Sequence, residues 1–274
     1  MKLRDLTKLI KEDFAAHGID DVSEAEFLVA VCLNKNRSAV YSNDDLTKNQ
    51  VRLVIKWAKK RIKGIPLSEI SHNQNFYGRD FFVNKNCLTP RPETEELVLL
   101  VSKNEKDKRV LDLCSGSGAI AITLNLEFGF NCVASDISAK ALKVAKINAK
   151  KLGANIKFVK SDLFNKINEK FDIIVSNPPY VTSEEYEVID KVVKNYDPKI
   201  SLLAGENGLY FYRKIILDAP KYLNKGGKIY FEIGESQASA VSSLLEKDFE
   251  DINVIKDLEG KDRMVCAKLK EKLW

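Results

Sequence analysis

Asn177-Pro178-Pro179-Tyr180 directly follows Phe171-Asp172-Ile173-Ile174-Val175-Ser176, a run that reads as a buried parallel strand. The carboxyl end of such a strand is where open α/β sheets bind ligands. Neither Pro178 nor Pro179 carries an N–H, so the Asn177 side-chain carbonyl and the Pro178 backbone carbonyl have no neighbouring donor to occupy them. Two acceptors at that spacing can grip both hydrogens of one planar NH2 group, with the Tyr180 ring against its π-face. The turn is therefore a clamp for an amide or an exocyclic amine, although Asn-Pro is also a common signal for a purely structural turn.

A second group of residues describes a place for a nucleoside. The run Val110-Leu111-Asp112-Leu113 ends in Cys114-Ser115-Gly116-Ser117-Gly118, a compact glycine loop between a strand and a helix. Asp136, with Ile137 beside it, stands at the tip of the next strand, 18 residues after Gly118, where a carboxylate can accept from both hydroxyls of a ribose. The plainer reading of Asp136 is a cap on the following helix. Asp162 at the third tip can receive an adenine amino hydrogen while Leu163 packs on the ring. The loop lacks the Lys-Ser/Thr pair of a triphosphate loop, and Cys114 occupies the first glycine position of a dinucleotide fingerprint. An adenosine cofactor that serves an acceptor turn is best matched by S-adenosyl-L-methionine, whose sulfonium methyl would point toward a clamped nitrogen.

These residues need a sheet to hold them. After residue 108, strand signals at Arg109–Leu113, Asn131–Ser135, 156–160, Phe171–Ser176 and 228–233 alternate with helical signals near 118–127, 138–152, 208–223 and 236–247. Such alternation predicts an α/β domain with a doubly wound, mainly parallel sheet, and 252–255 and 263–269 predict an antiparallel pair at one edge. Upstream, Leu3, Leu6, Ile10 and Phe14 recur at helical spacing. Ser23 and Glu26 read as a capping box opening a helix through Leu33, and Val51, Val54, Ile55, Ala58 and Ile62 form a third stripe closed by Gly64-Ile65-Pro66. The expected organisation is a small helical domain over 1–73, a β-hairpin linker over 74–88, and the catalytic domain over 89–274.

Composition narrows the functions available. With 45% hydrophobic and 30% charged residues over 274 positions, the chain is of ordinary globular type, and no apolar run approaches the roughly 20 residues that span a bilayer. Acidic residues among the first lysines argue against a leader sequence, so a cytoplasmic protein with no membrane partner is expected. Two histidines and five scattered cysteines predict no metal site and no disulfide framework. The cluster Lys56, Lys59, Lys60, Arg61 and Lys63 reads as a solvated helix face, and a net charge of +5 does not by itself make a nucleic-acid partner.

Beyond the Asn177–Tyr180 turn, the chain carries Thr89-Pro90-Arg91-Pro92-Glu93-Thr94-Glu95, the segment Leu203-Ala204-Gly205-Glu206-Asn207-Gly208-Leu209, and Phe231-Glu232-Ile233-Gly234. In this combination it resembles the HemK-type protein glutamine N5-methyltransferases over nearly its whole length. The resemblance implies a seven-stranded Rossmann-like methyltransferase sheet that converts S-adenosyl-L-methionine to S-adenosyl-L-homocysteine. Its substrate would be the Gly-Gly-Gln loop glutamine of class 1 peptide-chain release factors, gripped in part by the helical domain. Cys114 to Gly118, Asp136, Ile137, Asp162, Leu163 and Asn177 would surround the cofactor, Asn177 to Tyr180 would hold the amide, and Arg91, Pro92, Glu93 and Thr94 would lie near the site. The chain departs from the family at two positions: Cys114 stands where glycine is frequent, a substitution the turn accepts if φ is negative there, and Asp197 stands where glutamate is usual. Two other readings stay open: methylation of an exocyclic amine on DNA or RNA, which would call for a broad basic surface, and a cofactor-binding scaffold without turnover.

Overall fold

The structure, a computed structural model, describes residues 1–103 and 107–271 and divides into two compact units, Met1–Asn73 and Gln74–Trp274. In the first unit, helices α1 (Leu3–Ala16), α2 (Val22–Cys32) and α3 (Lys48–Ile62) bury the apolar stripes read from the sequence. Leu3, Leu6, Ile10 and Phe14 meet Leu28, Val29, Val54 and Ala58 in one core. The start of α2 differs from expectation. Asp21, and not Ser23, is the N-cap, its Oδ1 accepting from Ser23 N at 2.8 Å; the helix begins at Val22, so Ser23 is already inside the first turn and its N–H is one of the orphan donors. The third helix begins earlier than its apolar stripe, at a Thr47/Gln50 capping box, and a short helix α4 (Leu67–Ser71) follows Gly64-Ile65-Pro66. The lysines of α3 face solvent.

The second unit opens with a hairpin, β1 (Asn73–Phe76) and β2 (Arg79–Phe82), followed by α5 (Pro92–Ser102) with its proline in the first turn. Then come β3 (Arg109–Leu113), α6 (Ala119–Phe128), β4 (Asn131–Asp136), α7 (Ala139–Leu152), β5 (Lys157–Lys160) and β6 (Phe171–Ser176). Two short helices, α8 (Ser183–Val188) and α9 (Lys191–Tyr196), precede α10 (Tyr210–Tyr222), β7 (Leu223–Glu232), α11 (Ala238–Leu245), β8 (Phe249–Lys256) and β9 (Asp262–Leu269). The seven-stranded sheet has the order β5-β4-β3-β6-β7-β9-β8, with β9 alone running opposite to the other six strands. The chain thus winds outward from β3 in both directions, as the alternating pattern predicts.

Alternation along each strand builds two cores. Leu111, Leu113, Ile174 and Phe231 turn to the face covered by α10 and α11, while Val110, Ile173, Val175 and Tyr230 turn to the face covered by α5 and α6. Strands buried on both faces are continuous apolar runs, which is why β3 and β6 were legible. The helices α8 and α9 were not, because each is only 6 residues long and carries almost no buried face.

Candidate active site

The adjacent tips of β3, β4, β5 and β6 open into one cavity of about 790 Å³, counting its mouth. Its walls include Cys114, Gly116, Asp136, Ile137, Asp162, Leu163, Asn177 and Pro179. A second cavity of about 910 Å³ lies beside it, walled by Arg91, Glu93, Asn177, Tyr180, Glu232 and Arg263. Asn177 borders both, together with Leu88 and Ser201. Ser115, Ser117, Gly118 and Thr94 are buried behind these walls, and Pro178 and Pro92 line neither cavity.

The glycine loop is fixed from three sides. Ser115 N donates to Ser135 O at 3.0 Å, Gly116 N to the Asp136 carboxylate at 2.9 Å, and Gly118 N to Ser115 O at 2.8 Å. Asp136 is thereby a loop anchor as well as a rim carboxylate. It does not cap α7, a task done by Ser138, whose Oγ accepts from Ala141 N at 3.2 Å; the other Asp136 oxygen accepts from Ser138 N at 2.7 Å. Burial among these groups raises the Asp136 pKa despite both hydrogen bonds. Cys114 adopts φ +61°, not the negative value that would suit its side chain. The backbone here takes the left-handed turn that glycine makes without strain, so the cysteine accepts a conformational cost of about 1 kcal/mol.

Beneath the loop, the fully buried Asp112 accepts from Ala121 N at 3.2 Å and serves one orphan donor of α6, while its Oδ1 finds no partner among the described residues. Burial pushes its carboxyl up to about 8. Sequence reading passed over Asp112 because one acid inside an apolar strand has no local pattern.

The Asn177–Tyr180 turn is held by residues distant in the chain. Asn177 Nδ2 donates to Thr94 Oγ1 at 3.2 Å, and Thr94 in turn donates to the buried Glu232 carboxylate at 2.6 Å. Gln237 Nε2 donates to Tyr180 O at 3.0 Å, while its own Oε1 accepts from Gly234 N at 3.0 Å. Burial raises the Tyr180 phenol to about 12, so the ring enters chemistry as a neutral aromatic face. Asp197 is buried, accepts from Thr89 N at 3.1 Å and pairs with Arg91, tying the proline-rich segment to the loop after α9. Gln237 and Asp197 had no functional reading in the sequence. Among the described residues no group of His, Cys, Asp and Glu is arranged to hold a metal.

The family profile described as PrmC N-terminal domain matches residues 5–71, and that described as Methyltransferase small domain matches residues 93–199. The release factor glutamine methyltransferase of Thermodesulfovibrio yellowstonii is 37% identical over 284 aligned positions, covering 100% of both chains. The chain belongs to the release factor glutamine methyltransferase family. Its relative of the same name from Bacillus cereus is 38% identical, covering 91% of this chain and 93% of its own, and that from Bacillus subtilis is 44% identical over 75% and 76%. Among solved structures, a methyltransferase from Pyrococcus furiosus shares the fold at a TM-score of 0.55 and 18% identity, covering 71% of this chain and 90% of its own. The Asn177–Tyr180 turn and the glycine loop of this family member sit at strand ends of a sheet of that fold. Among the described residues, no helix is long and apolar enough to cross a membrane.

Proposed function

We propose that the protein transfers a methyl group from S-adenosyl-L-methionine to the side-chain N5 of the glutamine in the Gly-Gly-Gln loop of class 1 release factors. The observation that carries this reading is Asn177, which borders both the cavity lined by Asp136 and the glycine loop and a second cavity lined by Tyr180.

The first cavity suits S-adenosyl-L-methionine by its donor set. Each Asp136 oxygen accepts one backbone N–H, which leaves lone pairs on both for the two hydroxyls of a ribose. Ile137, Leu163 and Phe211 offer apolar surface for a purine, and a side chain at Gly116 would extend into open space, so the loop meets the cavity as bare backbone. Bound there, the cofactor supplies an electrophilic sulfonium methyl and leaves as S-adenosyl-L-homocysteine.

The chain's own task is to make an amide nucleophilic. An amide nitrogen is unreactive because its lone pair is delocalised into the carbonyl. Asn177 Oδ1, on the border of both cavities, accepts one of its hydrogens, and the second is assigned to the carbonyl of Pro178, the next residue of the turn, which itself lines neither cavity; together they draw electron density onto nitrogen and fix the direction of its lone pair. Tyr180 restricts the amide plane. No acid–base pair is needed, since the nitrogen becomes positive on forming its bond to carbon and then releases a proton to water. The acceleration comes from alignment and preorganised dipoles. The helical unit adds contacts to the release factor, a substrate that belongs to the cytoplasm.

The test is transfer of labelled methyl to a purified release factor, to the same factor with its loop glutamine replaced, and to DNA and RNA. Label confined to the intact factor supports the reading, and label on nucleic acid favours base methylation. Asn177→Ala is expected to lower turnover at least 100-fold while leaving the fold intact, and native turnover in that variant excludes the clamp. Unchanged affinity for the factor after removal of residues 1–70 excludes the role given to the helical unit.

A further inference from the structure

An asparagine amide has nearly the same shape in its two orientations, yet only one presents an acceptor to a substrate NH2. Flipped, Asn177 would offer its own hydrogens to the hydrogens it must receive. We propose that Glu232 and Thr94 are positioning residues, Glu232 fixing the Thr94 hydroxyl so that it accepts an N–H of Asn177 and Oδ1 faces the substrate amide. This rests on the glutamine-methylation reading above.

The direction follows from what each group can do. An ionised carboxylate only accepts, so the Thr94 hydroxyl hydrogen is committed to Glu232 Oε2 at 2.6 Å. The hydroxyl then has only lone pairs for Asn177, and the group 3.2 Å away must be the NH2. This contact requires Asn177 to be the donor, and among the described residues none donates to its Oδ1.

Glu232 is 3% exposed and Thr94 5%, so neither is held there as solvated surface. Burying a carboxylate is costly, and a purely structural tie between α5 and β7 could be made by neutral groups. The groups facing Glu232 are Glu93 from α5, Tyr180 from the clamp turn and Arg263 from β9, with Arg91 alongside in the same cavity. The Tyr212 hydroxyl from α10 donates to the Glu232 backbone carbonyl at 2.8 Å. Burial raises the Glu232 carboxyl to about 7, with Thr94 and Arg263 opposing the rise and Glu93 adding to it. Once protonated, the acid can donate to Thr94, the hydroxyl can donate to Asn177, and the direction is lost.

Two measurements test the relay. In the protein without ligands, the side-chain amide NMR resonances of Asn177 should shift with pH, with a midpoint near 7, and should lose this titration in Glu232→Gln. In the transfer assay, Glu232→Gln and Thr94→Val should each lower kcat by roughly tenfold to 100-fold, the size of one lost charge-assisted hydrogen bond. Affinity for S-adenosyl-L-methionine should change little, and Thr94→Ser, which restores the hydroxyl, should recover most of the loss. The native fall in kcat below pH 7 should be absent in Glu232→Gln. An Asn177 resonance that does not titrate, or titrates equally in Glu232→Gln, overturns the relay even if the release factor is methylated. A titrating resonance in a protein that does not methylate the factor sustains the relay and overturns the substrate reading.

Discussion

Replacing Glu232 by glutamine should make the folded protein more stable in alkali relative to acid while it loses activity, and the size of the effect follows from burial. The carboxyl lies at about 7 in the fold, against its ordinary 4.5. A group whose pKa is raised by folding contributes stability that is complete below the unfolded value and disappears as pH rises through the folded one. For Glu232 that window runs from 4.5 to about 7. At about 1.4 kcal/mol per pH unit, the native protein loses between about 2 and 3 kcal/mol through this group between roughly pH 5 and pH 8. Glutamine does not titrate and escapes the loss. The assay is urea unfolding followed by circular dichroism, for both proteins at both pH values. Differences in local hydrogen bonding are common to the two pH values and cancel in the double difference. The slopes from Asp112 and Asp136, also raised by burial, are common to the two proteins and cancel as well. Glutamine should therefore gain between about 2 and 3 kcal/mol on native from roughly pH 5 to pH 8. A double difference near zero, or of opposite sign, would mean that Arg263 holds Glu232 ionised and would falsify the energetic argument.

Two further substitutions probe the supports of each cavity. Gly208 has φ +67°, and an added Cβ would lie 2.4 Å from both Gln237 Nε2 and Tyr180 O. Gly208→Ala should cost about 2 kcal/mol in urea unfolding and lower methyl transfer more than cofactor affinity, since it breaks the hold on Tyr180; unchanged stability and turnover would remove the role given to Gln237. Asp136→Ala deprives Gly116 N and Ser138 N of their acceptor. Affinity for S-adenosyl-L-methionine in calorimetry should fall at least tenfold, with a stability loss of about 1 to 2 kcal/mol; unchanged affinity would reject the ribose role.

The parts of this site that were legible in the sequence are those written within a few residues of one another. The run into Asn177-Pro178-Pro179-Tyr180 and the loop from Cys114 to Gly118 announce themselves because a buried strand is a continuous apolar segment and its end is a change of residue type. The pairing of their partners across the chain is invisible to such reading, since Thr94 and Glu232 lie 138 residues apart and Thr89 and Asp197 lie 108 apart. Cys114 shows a different limit, because its left-handed φ is set by the loop's backbone hydrogen bonds and no feature of cysteine predicts it. Strand order links the two kinds of information. Ser176 is in register with Leu113 on one side and Phe231 on the other. The next residue of each strand is Asn177, Cys114 and Glu232, so the side chain ending β6 has the nucleoside loop on one flank and the buried acid on the other. A parallel sheet in any order that separated β6 from β3 or β7 would split Asn177 from the Cys114–Gly118 loop or from the buried Glu232. The asparagine can face both cavities because its strand is the one between them.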